Sequence, residues 1–187
     1  MDGRADRSSW QVLRDRTYGA FLQVFRLLPR RVRRWLVRAG SPHYTVGAIC
    51  FVRRRDGALL LVRHVYWGRW GTAGGLAKRG EPPEQAAVRE TKEEVGLDVE
   101  LVGEPVVVVD PAARRVDVVY LARPSAVAAL DDVRPSSPEI TAVRWFDPAD
   151  LPDLQSDTAT ALAALVRAGR LESSADPVRP SSARRTR

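Results

Sequence analysis

The sequence has little sulfur, little lysine and no long apolar run. Its 187 residues include one cysteine, Cys50, and one methionine. A single thiol excludes an intramolecular disulfide and a Cys-based metal cage, and it makes a reducing cytoplasm the expected setting. No apolar stretch approaches the ~18 residues that a membrane span requires, and charged residues stand near the N-terminus where a secretory signal needs an apolar core. Neither membrane insertion nor secretion is expected. The two histidines, His43 and His64, lack metal-ligand spacing, so each is expected to be structural. Lysine occurs only as Lys78 and Lys92. With abundant Ala and Val, that usage points to coding bias more than to function.

What is present suits one globular domain with appendages. Apolar residues make up 44% and charged residues 28% of the chain, enough for an ordinary buried core and unlike a disordered or collagen-like composition. The formal net charge of +7 invites a nucleic-acid reading, so its location matters. Residues 1–40 carry ten Arg and three Asp, a net +7, whereas residues 41–173 are net −3 and residues 174–187 net +3. The basicity belongs to the two ends. Three segments are expected: a basic amphipathic helical extension over 1–40, a globular domain over 41–172 and a disordered basic tail over 173–187.

Hydrophobic periodicity assigns the elements. Phe21, Val24, Phe25 and Leu28 recur at helical spacing within residues 10–28, Pro29 breaks the pattern, and a second short basic helix runs to Gly40. Residues 45–54 and 57–64 read as two strands paired across an Asp56-Gly57 turn. A Gly-rich stretch follows, then a helix over about 83–95, opened by Pro82-Pro83 and closed by Gly96. LDVELVG with EPVVVVD, RRVDVVYLAR and ITAVRWF read as further strands, and residues 158–168 as a last helix. Runs of strands flanking a central helix predict an α+β fold.

The chemistry concentrates in Gly75 to Leu97, GLAKRGEPPEQAAVRETKEEVGL. On a helical wheel Glu90, Glu93 and Glu94 share an arc of about 100°, and Val88, Thr91 and Val95 face the other way. Such crowding of like charge is unfavourable unless something neutralises it. One reading is a solvated face with Arg89 and Lys92 pairing the acids. The other is a site for a hard divalent cation, Mg²⁺ or Mn²⁺, because all the donors are oxygens.

The spacing decides between them. Gly75, Glu81, Arg89, Glu90, Glu93, Glu94 and Gly96 fit G-x5-E-x7-R-E-U-x-E-E-x-G-U, a coincidence of about one in 10⁸ on average composition. The sequence therefore resembles the Nudix hydrolases. Trp70 ahead of Gly74-Gly75, Gly80, and Glu139-Ile140 followed by Arg144-Trp145-Phe146 extend the resemblance over roughly residues 44–168. Two framing positions depart from the pattern: Ala73 stands where proline is usual, and Thr91 where an aliphatic residue is usual. The resemblance implies a Nudix-type α/β/α sandwich with a mixed sheet. It also implies Mg²⁺-dependent cleavage of a diphosphate linkage in a nucleoside diphosphate derivative, such as ADP-ribose, a sugar nucleotide or a (d)NTP-like molecule, by metal-activated water. Glu90, Glu93 and Glu94 would be metal ligands or, for one of them, the base. Glu81 would assist from the loop, Arg89 would orient the carboxylates by pairing with Glu93, and Gly74 would bring backbone to the metal. A Nudix-fold sensor that binds such a nucleotide without cleaving it is the alternative.

Weaker signals keep two readings each. Tyr66, Trp67 and Trp70 suit stacking on a nucleobase or ordinary packing. Glu139 suits a late-loop carboxylate near the metal or a strand-entry residue. Pro111, fourteen residues beyond Leu97, matches the proline spacing associated with ADP-ribose pyrophosphatases of the family, and equally a turn. The basic N-terminus suits domain capping or a homodimer interface, an anionic membrane surface, or nucleic acid. A nucleic-acid-binding protein with a vestigial domain is the further rival.

Overall fold

The structure is a computed structural model that describes residues 23, 25–125, 130 and 133–171. The helix expected from residue 10 lies largely outside the described residues, and the tail 173–187 wholly so. The chain divides into two units, Met1–His43 and Tyr44–Arg187. In the first, helix α1 (Arg30–Gly40) follows Pro29, and none of its residues is buried.

The second unit is built on β1 (Thr45–Val52), whose residues from Gly47 onward are all buried. That run is apolar on both faces because both faces are covered. Ala48, Cys50 and Val52 enter one core with Ala86, Ala87 and Val95 of helix α2 (Pro83–Val95). Ile49 and Phe51 enter the other with Ala161 and Leu165 of helix α3 (Ser156–Arg167). The result is the α/β/α sandwich that the resemblance implies.

The remaining strands are β2 (Leu59–His64), β3 (Trp70–Gly71), β4 (Ala73–Leu76), β5 (Val99–Asp110), β6 (Arg115–Pro124) and β7 (Ile140–Phe146). Among the described residues they form a four-stranded sheet, β4-β1-β6-β5, and a three-stranded sheet, β3-β2-β7. The first is mixed: β1 runs parallel to β6 and antiparallel to β4.

Two expectations are corrected here. The Asp56-Gly57 turn forms, with Gly57 at φ 95° and its N–H donating to the Arg54 carbonyl at 3.0 Å. The strands beside it do not pair along their length. They meet at a single bridge, Arg53 to Leu59, and then enter different sheets. Both edges of β1 are already taken by β4 and β6, so β2 pairs with β3 and β7 instead. The second correction concerns residues 99–110, which form one strand interrupted by a register shift between Val102 and Val106. Gly103, at φ 68°, absorbs that bulge.

Helix α2 follows its sequence signals closely. Proline occupies its first turn, and Gly96 ends it in the left-handed region at φ 71°, its N–H bonded to the Lys92 carbonyl at 3.0 Å. On the far side of the sheet, Leu165 is fully buried and anchors α3. Truncation to Leu165→Ala should therefore destabilise the domain by about 2–5 kcal/mol in denaturant unfolding. A loss below about 1 kcal/mol would contradict α3 as the cover of this face.

Candidate active site

The loop before α2 and the polar face of α2 are joined by one guanidinium. Arg89 donates from Nε and Nη2 to the two carboxylate oxygens of Glu81, at 2.7 and 2.9 Å. Its Nη1 donates to Glu90 Oε1 at 2.7 Å and to Glu93 Oε2 at 3.0 Å. The planar fork matches the Glu81 carboxylate bidentately and keeps a third nitrogen for the helix acids, a geometry that lysine does not offer. The expected Arg89–Glu93 pair is present, and two further carboxylates share the same cation. Glu81 also accepts the Lys78 backbone N–H at 2.7 Å. Chiefly through Arg89, and then through that N–H, its carboxyl is held down to about 2.

Glycine brings strand β4 against these acids. A Cβ on Gly75 would lie 2.6 Å from the Glu90 carboxylate, and one on Gly74 would lie 2.4 Å from the Ala48 carbonyl oxygen. Only residues without a side chain allow this approach. The Gly74 N–H donates to Glu94 Oε2 at 3.2 Å. Glu94 is only 6% exposed, whereas Glu93 faces solvent. The wheel placed both on the polar arc. The structure separates them: Glu93 and Glu94 lie at opposite ends of that arc, and β4 closes over the Glu94 end.

These residues fit a divalent cation. Among the described residues, hydrogen bonds engage one oxygen of each helix carboxylate: Oε1 of Glu90, Oε2 of Glu93 and Oε2 of Glu94. Of the second oxygens, Glu93 Oε1 lies 3.8 Å from Lys78 Nζ and Glu94 Oε1 lies 3.8 Å from His64 Nε2, both beyond hydrogen-bond reach and open to displacement by a cation, and the donor set is entirely hard. Among the described residues no three acidic, His or Cys side chains are close enough to cage a metal by themselves. A cation held here would take water or substrate oxygens as well, which is the habit of Mg²⁺.

A cleft of about 200 Å³ opens beside Gly74 and Gly75 and is lined also by His64, Trp67, Thr72, Arg115, Gln155, Asp157 and Thr158. Trp67 thus borders it. Tyr66 is exposed and not part of its wall. Trp70 packs edge-to-face on Phe146, with ring centroids 4.8 Å apart. Glu139 is exposed at the entry to β7, and its backbone carbonyl accepts the Val65 N–H at 2.9 Å. Pro111 sits in the turn between β5 and β6, where Asp110 Oδ1 accepts the N–H groups of Ala112 and Ala113 at 2.9 Å.

Several cleft residues escaped the sequence reading. Gln155 Nε2 lies 3.2 Å from His64 Nδ1 and donates to the Arg69 carbonyl at 3.4 Å. A carbonyl can only accept, so the Gln155 amide nitrogen belongs on this side. The other ring nitrogen of His64, Nε2, faces Glu94 Oε1 at 3.8 Å. Arg115 and Asp117 pair at 2.7 Å along β6. These residues come from β2, β6 and the start of α3, so no local motif signals them.

A sandwich whose central helix offers three glutamates, tied to the preceding loop through one arginine, defines a Nudix-type domain. The model of the NUDIX domain matches residues 43–167, and the chain belongs to the Nudix family. It is 31% identical over 116 residues, 62% of this chain and 72% of the relative, to a MutT-like protein of Streptomyces ambofaciens. Among solved structures it is similar to a MutT NUDIX hydrolase of Burkholderia pseudomallei, with 33% identity, TM-score 0.54, and 66% of this chain and 98% of that one covered. It is also similar to an ADP-ribose pyrophosphatase of Streptococcus suis, with 29% identity, TM-score 0.54, and 71% and 95% covered.

The two departures from the family pattern are accommodated locally. Ala73 opens β4 opposite Cys50 and is buried. Thr91 is fully buried, and its hydroxyl donates to the Ala87 carbonyl at 2.8 Å, so the polar atom carries no unmet bond into the core.

The Glu81–Arg89 fork gives a pH signature. The Glu81 carboxyl titrates at about 2 when folded and near 4.5 when unfolded, so its contribution to stability is complete above about pH 4.5 and is lost as pH falls toward 2. Glu81→Gln should melt below the native protein at about pH 6, with the gap narrowing toward about pH 3. A gap independent of pH would contradict the fork.

Proposed function

We propose that this chain is a Mg²⁺- or Mn²⁺-dependent pyrophosphohydrolase that cleaves a diphosphate linkage in a nucleoside diphosphate derivative. The products are a nucleoside monophosphate and a phosphorylated second product, or monophosphate and pyrophosphate from a nucleoside triphosphate. The observation that carries this reading is the set of three glutamates, Glu90, Glu93 and Glu94, each with one oxygen left by its hydrogen bonds and two of them set against Gly74-Gly75 at the cleft wall. The name of one similar structure, an ADP-ribose pyrophosphatase, supports the ADP-ribose class.

In this reading Glu90, Glu93 and Glu94 would hold the cation with the help of Gly74 backbone, except that one of the three would serve as the base instead. The chemistry that such a cation supplies is neutralisation of the diphosphate oxygens and acidification of water. The protein's own groups do the rest. Arg89 fixes the rotamers of Glu90 and Glu93, so the carboxylates need no reorganisation when substrate arrives. One of the three glutamates takes the proton of the attacking water. Glu94 is the best placed of them, since burial limits competing water and the Gly74 N–H fixes its orientation. Trp67, at the rim, offers a face on which a nucleobase can stack.

Catalysis in this account belongs to residues 41–172, with 1–40 and 173–187 as appendages, and the setting is the cytoplasm. The Cys50 thiol is buried and pushed up to about 11 by desolvation, so it takes no part. No helix among the described residues is long and apolar enough to cross a membrane.

A product screen with Mg²⁺ and Mn²⁺ over ADP-ribose, sugar nucleotides, dinucleoside polyphosphates and oxidised nucleoside triphosphates tests the reading. Cleavage of at least one class is expected. Glu94→Gln and Glu90→Gln should each reduce kcat by about 10²–10⁴ with little change in melting temperature. Near-normal turnover in both variants would refute the assignment, and tight binding without cleavage of any compound would favour a nucleotide sensor.

A further inference from the structure

Helix α1 lies outside the catalytic account and has two faces of opposite character. Placed on a wheel at 100° per residue, Val32, Trp35, Leu36 and Ala39 share an arc of about 100°. Arg30, Arg31, Arg33, Arg34 and Arg38 occupy the remainder together with Val37. The helix contains no acidic residue. Its apolar face is open: Trp35 is 66% exposed, and Val32 and Leu36 are exposed as well. Leu27, just before Pro29, is 84% exposed.

We infer that α1 lies flat on an anionic bilayer surface, with Val32, Trp35 and Leu36 in the headgroup–acyl boundary and the arginines on lipid phosphates. Each half of the helix points to this occupant. Five arginines on a helix that carries no acid of its own call for a polyanionic partner, and guanidinium groups bind phosphate oxygens in bidentate fashion. Nucleic acid would satisfy that face but leave the apolar arc in water. A second copy of α1 would bury the apolar arc but bring two sets of five arginines together. An anionic bilayer satisfies both faces at once. Trp35 stands at the edge of the apolar arc, next to Arg31, where an indole meets both hydrocarbon and headgroup. Eleven residues span only about 16 Å as a helix, so α1 rests on the surface and does not cross it.

The test is vesicle flotation of the full chain. Vesicles of phosphatidylcholine alone are compared with vesicles in which about a third of the lipid is phosphatidylglycerol. The protein should float with the anionic vesicles and stay behind with the neutral ones. Arg31→Ala/Arg34→Ala should lower partitioning by about 25-fold, roughly fivefold for each arginine. Trp35→Ser/Leu36→Ser should lower it by at least about tenfold, because the apolar anchor is lost. Both double variants should keep the native melting temperature, since α1 buries none of its residues. Equal recovery with the two kinds of vesicle would overturn the inference. Anionic recovery unchanged in Trp35→Ser/Leu36→Ser would also overturn it, since that result marks a charge-only surface such as a nucleic-acid site. Self-association without lipid that the same variant abolishes would overturn it in favour of a second copy.

Discussion

The site depends on one guanidinium serving three carboxylates. Three glutamates on one helix face repel one another, and without a cation the repulsion would splay them into different rotamers. Arg89 meets that problem from within the helix. It draws Glu90 and Glu93 toward its own position and reaches back to Glu81 with the rest of its fork. The loop between β4 and α2 is pinned by the same contact, because Glu81 also accepts the Lys78 N–H. Loop, helix and carboxylate rotamers therefore stand or fall together.

Glycine is the second constraint. Gly74 and Gly75 serve as cleft wall on one side and as carboxylate contact on the other. A strand carrying side chains at these positions would push Glu90 away from the sheet and lift β4 from the Ala48 carbonyl. The buried helix face, with Ala86, Ala87, Thr91 and Val95 against β1, then sets the depth at which the acids sit. Short residues on that face let α2 approach the sheet closely.

Much of this was legible in the sequence because its signals are local. Pro82-Pro83 and Gly96 fix the ends of α2 through φ preferences that need no tertiary partner, and the identity of the acids follows from their spacing. What the sequence withheld is partner choice. An Asp-Gly turn specifies a reversal of the chain but not that β4 and β6 will occupy both edges of β1. The bulge at Gly103 reads as a break between strands because a glycine signals both. Glu93 and Glu94 stand at opposite ends of one polar arc on the wheel, and the packing of β4 over the Glu94 end buries that one and leaves the other exposed. His64 and Gln155 lie 91 positions apart and carry no motif, so their pairing at the cleft follows from the fold alone. The net +7 of the whole chain suggested a polyanionic partner for the whole chain, and its location directs that suggestion to α1 and away from the reaction.

The claim that Arg89 organises a cation site can be tested without any substrate, by following Mn²⁺ binding through the loss of the free-ion electron paramagnetic resonance signal in the full chain and in Arg89→Met. Simple charge arithmetic says that removing a positive group beside three carboxylates tightens cation binding. The present account predicts the opposite: affinity at least about tenfold weaker, because the carboxylates lose their shared orientation and about 1.4 kcal/mol accompanies each tenfold change. Equal or tighter Mn²⁺ binding by Arg89→Met would contradict it.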